Sequence, residues 1–86
     1  MLFRSQGHLL MGYLRLRQGN LPEAVQSFKK SSALDQSDAV SLCMTGYTLE
    51  KLGQPQQAID FYAKALKARP GDEMASRLLA GVNLND

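Results

Sequence analysis

AVSLCMTGYTLEKLGQPQQAIDFYAKALKARPGD, residues 39–72, is a passage that the chain writes twice. Moving back 34 positions, Gly12 answers Gly46, Tyr13 answers Tyr47, Gly19 answers Gly53 and Ala24 answers Ala58. Phe28 answers Tyr62, Lys30 answers Lys64 and Asp38 answers Asp72, with no residue inserted or deleted between the copies. A fixed period in the range of about 20–50 residues marks stacked supersecondary units, none of which can bury its apolar face alone.

Within each copy the spacing is helical. Leu9, Leu10, Met11, Tyr13, Leu14 and Leu16 make the first segment apolar over more than one face, which suits a helix held between others or carrying a second contact surface. Gly19-Asn20 stops it, because glycine takes the left-handed conformation at little cost, and Pro22 suits the first turn of a new helix, where its missing N–H is no loss. That helix runs to about Leu34, with Ala24, Val25, Phe28 and Ser31 on one side and Lys29 and Lys30 turned outward. Ser37 or Asp38 can cap a third helix reaching about Leu52. Gly53-Gln54-Pro55 then repeats the stop and start, and a fourth helix from Pro55 to about Ala68 carries Ala58, Ile59, Tyr62, Ala65 and Leu66 inward. Pro70 ends it, and Asp72 can cap a fifth from Glu73 to about Leu84. No segment alternates as a strand does. Connections this short make successive helices antiparallel.

These residues resemble the tetratricopeptide repeat (TPR) family. The 34-residue period is the family's, and its packing positions are carried by Met11, Gly12, Ala24 and Phe28 in the first copy. In the second they are Leu42, Gly46, Leu49, Ala58, Tyr62, Ala65 and Pro70. The resemblance covers Ser5 to Asp72, and Glu73 onward resembles the solvating helix that closes such arrays. Arg15, His8, Ser31 and Gln36 depart from the pattern, where the family prefers two aromatics, an Ala and a Pro. The implied fold is all-α: a right-handed helical solenoid of two hairpins and a C-terminal capping helix, five antiparallel helices in a single domain over residues 1–86. Repeat 1 is expected over about 5–38, repeat 2 over about 39–72 and the capping helix over about 73–84. The resemblance implies protein–protein binding in a concave groove lined by the first helix of each hairpin.

Composition narrows the alternatives. Eighty-six residues allow one domain with a modest core. A net charge of +2 is too weak to argue for nucleic acid or an anionic membrane, and no apolar run approaches the roughly 18 residues of a membrane helix. Arg15 and Arg17 follow the early apolar patch with no small-residue cleavage pattern, so no signal peptide is expected. The single cysteine, Cys43, rules out an internal disulfide and a cysteine-based zinc site, and fits a cytoplasmic location. An array opening almost on its first repeat is compatible with a piece of a longer protein. There is no phosphate loop, no metal-spaced His-Glu pair and no nucleophile elbow. His8 has no histidine partner, and Cys43 has no histidine in its own hairpin to activate it. No catalytic activity and no cofactor are expected.

The expected site is therefore a surface. By the solenoid pattern, Leu9, Tyr13, Cys43, Met44, Tyr47, Met74 and Leu78 should border the groove beside Leu10, with Arg17, Glu50 and Lys51 toward one edge. One subgroup of the family holds acidic C-terminal tails of chaperones through a clamp of Lys, Asn and Arg. The clamp positions here would be Leu9, Tyr13, Met44, Met74 and Leu78, and only the Tyr13 hydroxyl among them can donate. Such a lining suits an apolar or amphipathic helical segment of a protein partner instead. The alternatives are that these residues only pack helices, that absent neighbouring repeats cover them, or that the chain self-associates through them. A second function class is a regulatory or assembly segment of a larger protein, enzymatic or not. Lys29, Lys30, Lys64, Lys67 and Arg69 read as a solvated outer face, with no interleaved aromatics for base stacking.

Overall fold

A computed structural model describes residues 4–82 of the chain. They form five helices: α1 (Arg4–Arg17), α2 (Leu21–Leu34), α3 (Ala39–Lys51), α4 (Pro55–Ala68) and α5 (Glu73–Ala80). No strand occurs among the described residues. Each helix packs on the next in order, and α5 also touches α3, the nearest-neighbour arrangement of a helical repeat stack.

The two hairpin turns are built alike. Gly19 and Gly53 both sit at φ 77°, the left-handed region. Each lets the next residue's N–H reach back five positions, Asn20 to the Arg15 carbonyl at 2.8 Å and Gln54 to the Leu49 carbonyl at 2.9 Å. These bonds satisfy carbonyls that a helix end would otherwise leave bare. Pro22 and Pro55 then occupy the first turns of α2 and α4. Between the repeats, Asp38 accepts from the Val40 and Ser41 amides at 3.1 and 3.3 Å, and Asp72 accepts from the Ala75 amide at 2.8 Å. Asp38, rather than Ser37, is the cap of α3.

The fifth helix is shorter than its sequence suggests. It stops at Ala80, where the Gly81 N–H meets the Arg77 and Leu78 carbonyls at 3.1 and 3.2 Å and the Val82 N–H meets the Leu79 carbonyl at 3.3 Å. Three-residue hydrogen bonding of this kind tightens a final turn. The expected end at Leu84 lies outside the described residues.

Burial follows the repeat. Phe28 lies across Gly12, and Tyr62 lies across Gly46 so closely that a Cβ on Gly46 would stand 2.6 Å from the ring. At both positions the missing side chain of glycine is what leaves room for the facing ring. Ala24, Phe28 and Met44 form one core cluster. Val25, Leu49, Ala58 and Tyr62 form a second, and Ala39, Leu42, Cys43, Ala65 and Ala75 a third. Each cluster joins residues of two or three successive helices, so the core runs along the stack.

The apolar character of α1 has a structural counterpart. Thr45 and Thr48 of α3 are fully buried, and their equivalents 34 residues earlier, Met11 and Leu14, are exposed, as is Leu10 at 68%. The face that α3 packs into the stack is open on α1.

Candidate functional site

Among the described residues, depressions lie on different sides of α3. Leu42 and Tyr47 are five residues apart on that helix, about 140° around its axis, and each borders one of them.

The first depression lies between α3 and α5. Tyr47, Glu50, Lys51, Arg77, Leu78 and Gly81 line a cavity of about 350 Å³. Tyr47 and Leu78 are both half-buried. Leu78 packs against two of the core clusters, and Tyr47 packs against the third, around Met44. Lys51 holds its ammonium 5.0 Å from the centre of the Tyr47 ring, a cation–π contact that fixes a positive charge beside an apolar wall. Glu50 is held from below: the Tyr62 hydroxyl donates to its Oε1 at 2.5 Å. Burial, then the Glu50 hydrogen bond and charge, push the Tyr62 phenol well above its ordinary range. Arg77 pairs loosely with Glu73 at 3.9 Å across an exposed helix face, a contact worth little by itself. The cavity therefore has an apolar floor and a rim of both signs.

The seven residues singled out in the sequence separate into groups. Tyr47 and Leu78 meet at the depression. Leu9 and Tyr13 are half-buried and, with Tyr47, pack against the cluster of Ala24, Phe28 and Met44. Tyr13 stands edge-on to Phe28, with ring centres 5.5 Å apart, and burial followed by the Asp38 charge raises its phenol pKa. Met44 itself is only 8% exposed, so it supports the surface more than it forms it.

Cys43 does not present a surface at all. It is 0% exposed, enclosed with Ala39, Leu42, Ala65 and Ala75, and its thiol points to Asp72 Oδ2 at 3.8 Å. Burial, together with the charge of and hydrogen bond to Asp72, pushes the thiol up to about 11, away from nucleophilic reactivity. The physical reason is the cap of α5. Asp72 brings the start of α5 down onto α3 and closes the stack over Cys43. Met74 is also apart: it is 38% exposed on α5 and borders neither depression.

Arg77 and Gly81 are lining residues that sequence reasoning missed. Arg77 lies next to a family clamp position, one residue out of phase, and Gly81 follows it by one turn. Helical spacing from Leu78 would have put Gly81, three residues on, on the same patch; Arg77, its neighbour in the chain, carries no such signal.

The second depression, about 510 Å³, lies between α2 and α4 over Leu42, with Ser32, Ala33, Gln36, Phe61, Lys64, Lys67 and Ala68 around it. Nothing in the repeat pattern marks it. Among the described residues no three His, Cys, Asp or Glu side chains gather as a metal site, and no described helix is long and apolar enough to cross a membrane.

The helical pairs, the glycine turns and the repeated Gly–aromatic contacts define a helical-repeat protein. The sequence model described as Tetratricopeptide repeat matches residues 9–73 and again 43–85, and the chain belongs to that family. Repeats of this family mediate protein–protein interaction and are typically non-catalytic. A search of curated proteins finds no match.

Proposed function

We propose that the chain is a binding module whose α3–α5 depression, continued along α1 by Tyr13 and Leu9, receives an amphipathic helical segment of a partner protein. The observation that carries this reading is the junction of Tyr47 and Leu78 as an apolar floor within a rim of Glu50, Lys51 and Arg77. Half-buried aromatic and aliphatic side chains at the centre of a polar rim are the usual anatomy of a hot spot. A helix that lays an apolar stripe on this floor can meet Lys51 and Arg77 with acidic groups and Glu50 with a basic one, which fixes its direction. Affinity then comes from buried area, and orientation from the rim. Cys43 is not part of this surface, and Met44 acts through the side chains above it.

The test is selection followed by mapping. Helical peptides selected from a display library against the intact chain should lose roughly ten-fold or more in affinity to a Tyr47→Ala variant, as expected for an aromatic anchor. They should bind Lys64→Gln/Lys67→Gln unchanged, and their affinity should fall little between low and high salt. Binding that survives Tyr47→Ala overturns the reading.

A further inference from the structure

The α2–α4 depression is larger than the one at Tyr47, and it belongs to neither the repeat pattern nor the proposed groove. Its volume of about 510 Å³ falls within the range of about 300–1,000 Å³ that ligand pockets occupy. The floor is apolar: Leu42 is buried and Phe61 half-buried beneath it. Ala33 and Ala68, from facing helices, leave room where longer side chains would fill the cleft.

Charge at its edge is of one sign. Lys64 and Lys67 both line it. Lys64 is drawn over the Phe61 ring, 4.8 Å from its centre, so its ammonium stands on the apolar wall rather than extending freely into water. The ion pairs among the described residues are Arg15–Glu23 and Arg77–Glu73; neither lysine is engaged in one. Two unpaired ammonium groups beside an apolar cavity match a ligand that joins an apolar group to a carboxylate.

We propose that this cleft is a second docking site, taking a partner's peptide segment in which an apolar side chain is flanked by acidic residues. The apolar side chain would enter above Leu42 and Phe61, and the acidic residues would meet Lys64 and Lys67. Ala33, Gln36, Lys64 and Lys67 are all exposed along the rim. A small free ligand would leave most of its surface in water there, whereas a peptide can cross the cleft and continue along α2 and α4. The chain would then hold two segments at once, one on each side of α3.

The test uses the intact chain and a fluorescein-labelled, capped peptide with a Leu-Phe pair between two pairs of Glu, measured by anisotropy. Saturable binding is expected, weakening at least ten-fold in Lys64→Gln/Lys67→Gln, falling with added salt and lost in Ala33→Glu, which puts bulk and negative charge on the rim. The counterpart peptide with Gln in place of Glu should bind at least ten-fold more weakly. Tyr47→Ala should change nothing, which separates this site from the groove. All the altered positions except Tyr47 are exposed, and circular dichroism of each variant verifies its fold. No saturation at millimolar peptide, equal binding of the Gln peptide, unchanged binding by the lysine double variant, or loss in Tyr47→Ala each overturns the proposal.

Discussion

The hydroxyls of Ser31 and Ser41 meet at 2.6 Å in the buried junction between α2 and α3. Ser41 also donates to Asp38 Oδ2 at 2.8 Å, which ties the serine pair to the cap of α3. The positions 34 residues on are Ala65 and Ala75, which are buried in one cluster at the α4–α5 junction. One repeat junction is thus joined by a polar pair and the next by two methyl groups. Ser31 stands where the family prefers Ala, and its buried hydroxyl meets that of Ser41 there.

This pair should behave as a unit. Ser31→Ala is expected to cost about 0.5–1.5 kcal/mol, the net worth of a buried hydrogen bond. Ser31→Ala/Ser41→Ala should cost less than the two single changes added together, because it reproduces the Ala65–Ala75 junction. A double-mutant cycle from urea unfolding checks this. Strict additivity would show that the serines do not depend on each other.

Gly46→Ala should destabilise the second hairpin by about 1–3 kcal/mol, the range of overpacking, even though alanine is the better helix former. The Tyr62 ring cannot swing aside freely, since its hydroxyl is tied to Glu50. Gly12→Ala should act the same way through Phe28, whose Cδ1 would lie 2.5 Å from the new Cβ. Ala58→Leu enlarges the fully buried side chain across from Gly46 and should also overpack. Unchanged melting temperatures would mean that the hairpins yield more easily than their geometry implies.

Stability should be lost in alkali, and in a set order. The Cys43 thiol rises from 9.0 to about 11 in the folded chain. The folded state then keeps a proton that the unfolded state releases, so stability is full below pH 9 and falls as pH rises from 9 toward 11. The limiting slope is about 1.4 kcal/mol per pH unit. Tyr62 and Tyr13, both raised from 10.0, add to the fall above pH 10. Denaturant titrations at pH 8, 9.5 and 10.5 should show Cys43→Ala losing less stability across that range than the wild-type chain. Parallel curves would place the thiol in a more open setting. At pH 8 the native thiol should also react with a disulfide reagent only as fast as the chain unfolds.

The open face of α1 should be separable from the fold. Leu10, Met11 and Leu14 are exposed, so exchanging all three for Gln is expected to change stability by no more than about 0.5 kcal/mol per site. If the chain self-associates, this is the apolar face to relieve it, and light scattering across a concentration series of both proteins reads that out. A large drop in melting temperature would show that these side chains pack within the monomer.

The repeat itself was legible in the order of residues. Gly19 and Gly53 set the turns, Pro22 and Pro55 the helix starts, Asp38 and Asp72 the caps, and Gly12 with Phe28 and Gly46 with Tyr62 the close approaches. Each depends on chemistry within a few residues or on a spacing that recurs, so sequence alone carries it. Which side chains reach the surface was decided elsewhere. Helical spacing gives the angle of Cys43 about its own axis, but its burial depends on how α5 settles on α3 through Asp72, a contact 29 residues away. The same docking joins Arg77 to Tyr47 and leaves Met74 aside. The α2–α4 cleft likewise exists only because two helices that are not consecutive in the chain stand apart over Leu42. A period fixes what each helix offers; the tilt and separation of neighbouring helices, summed over many weak contacts, fix what remains exposed.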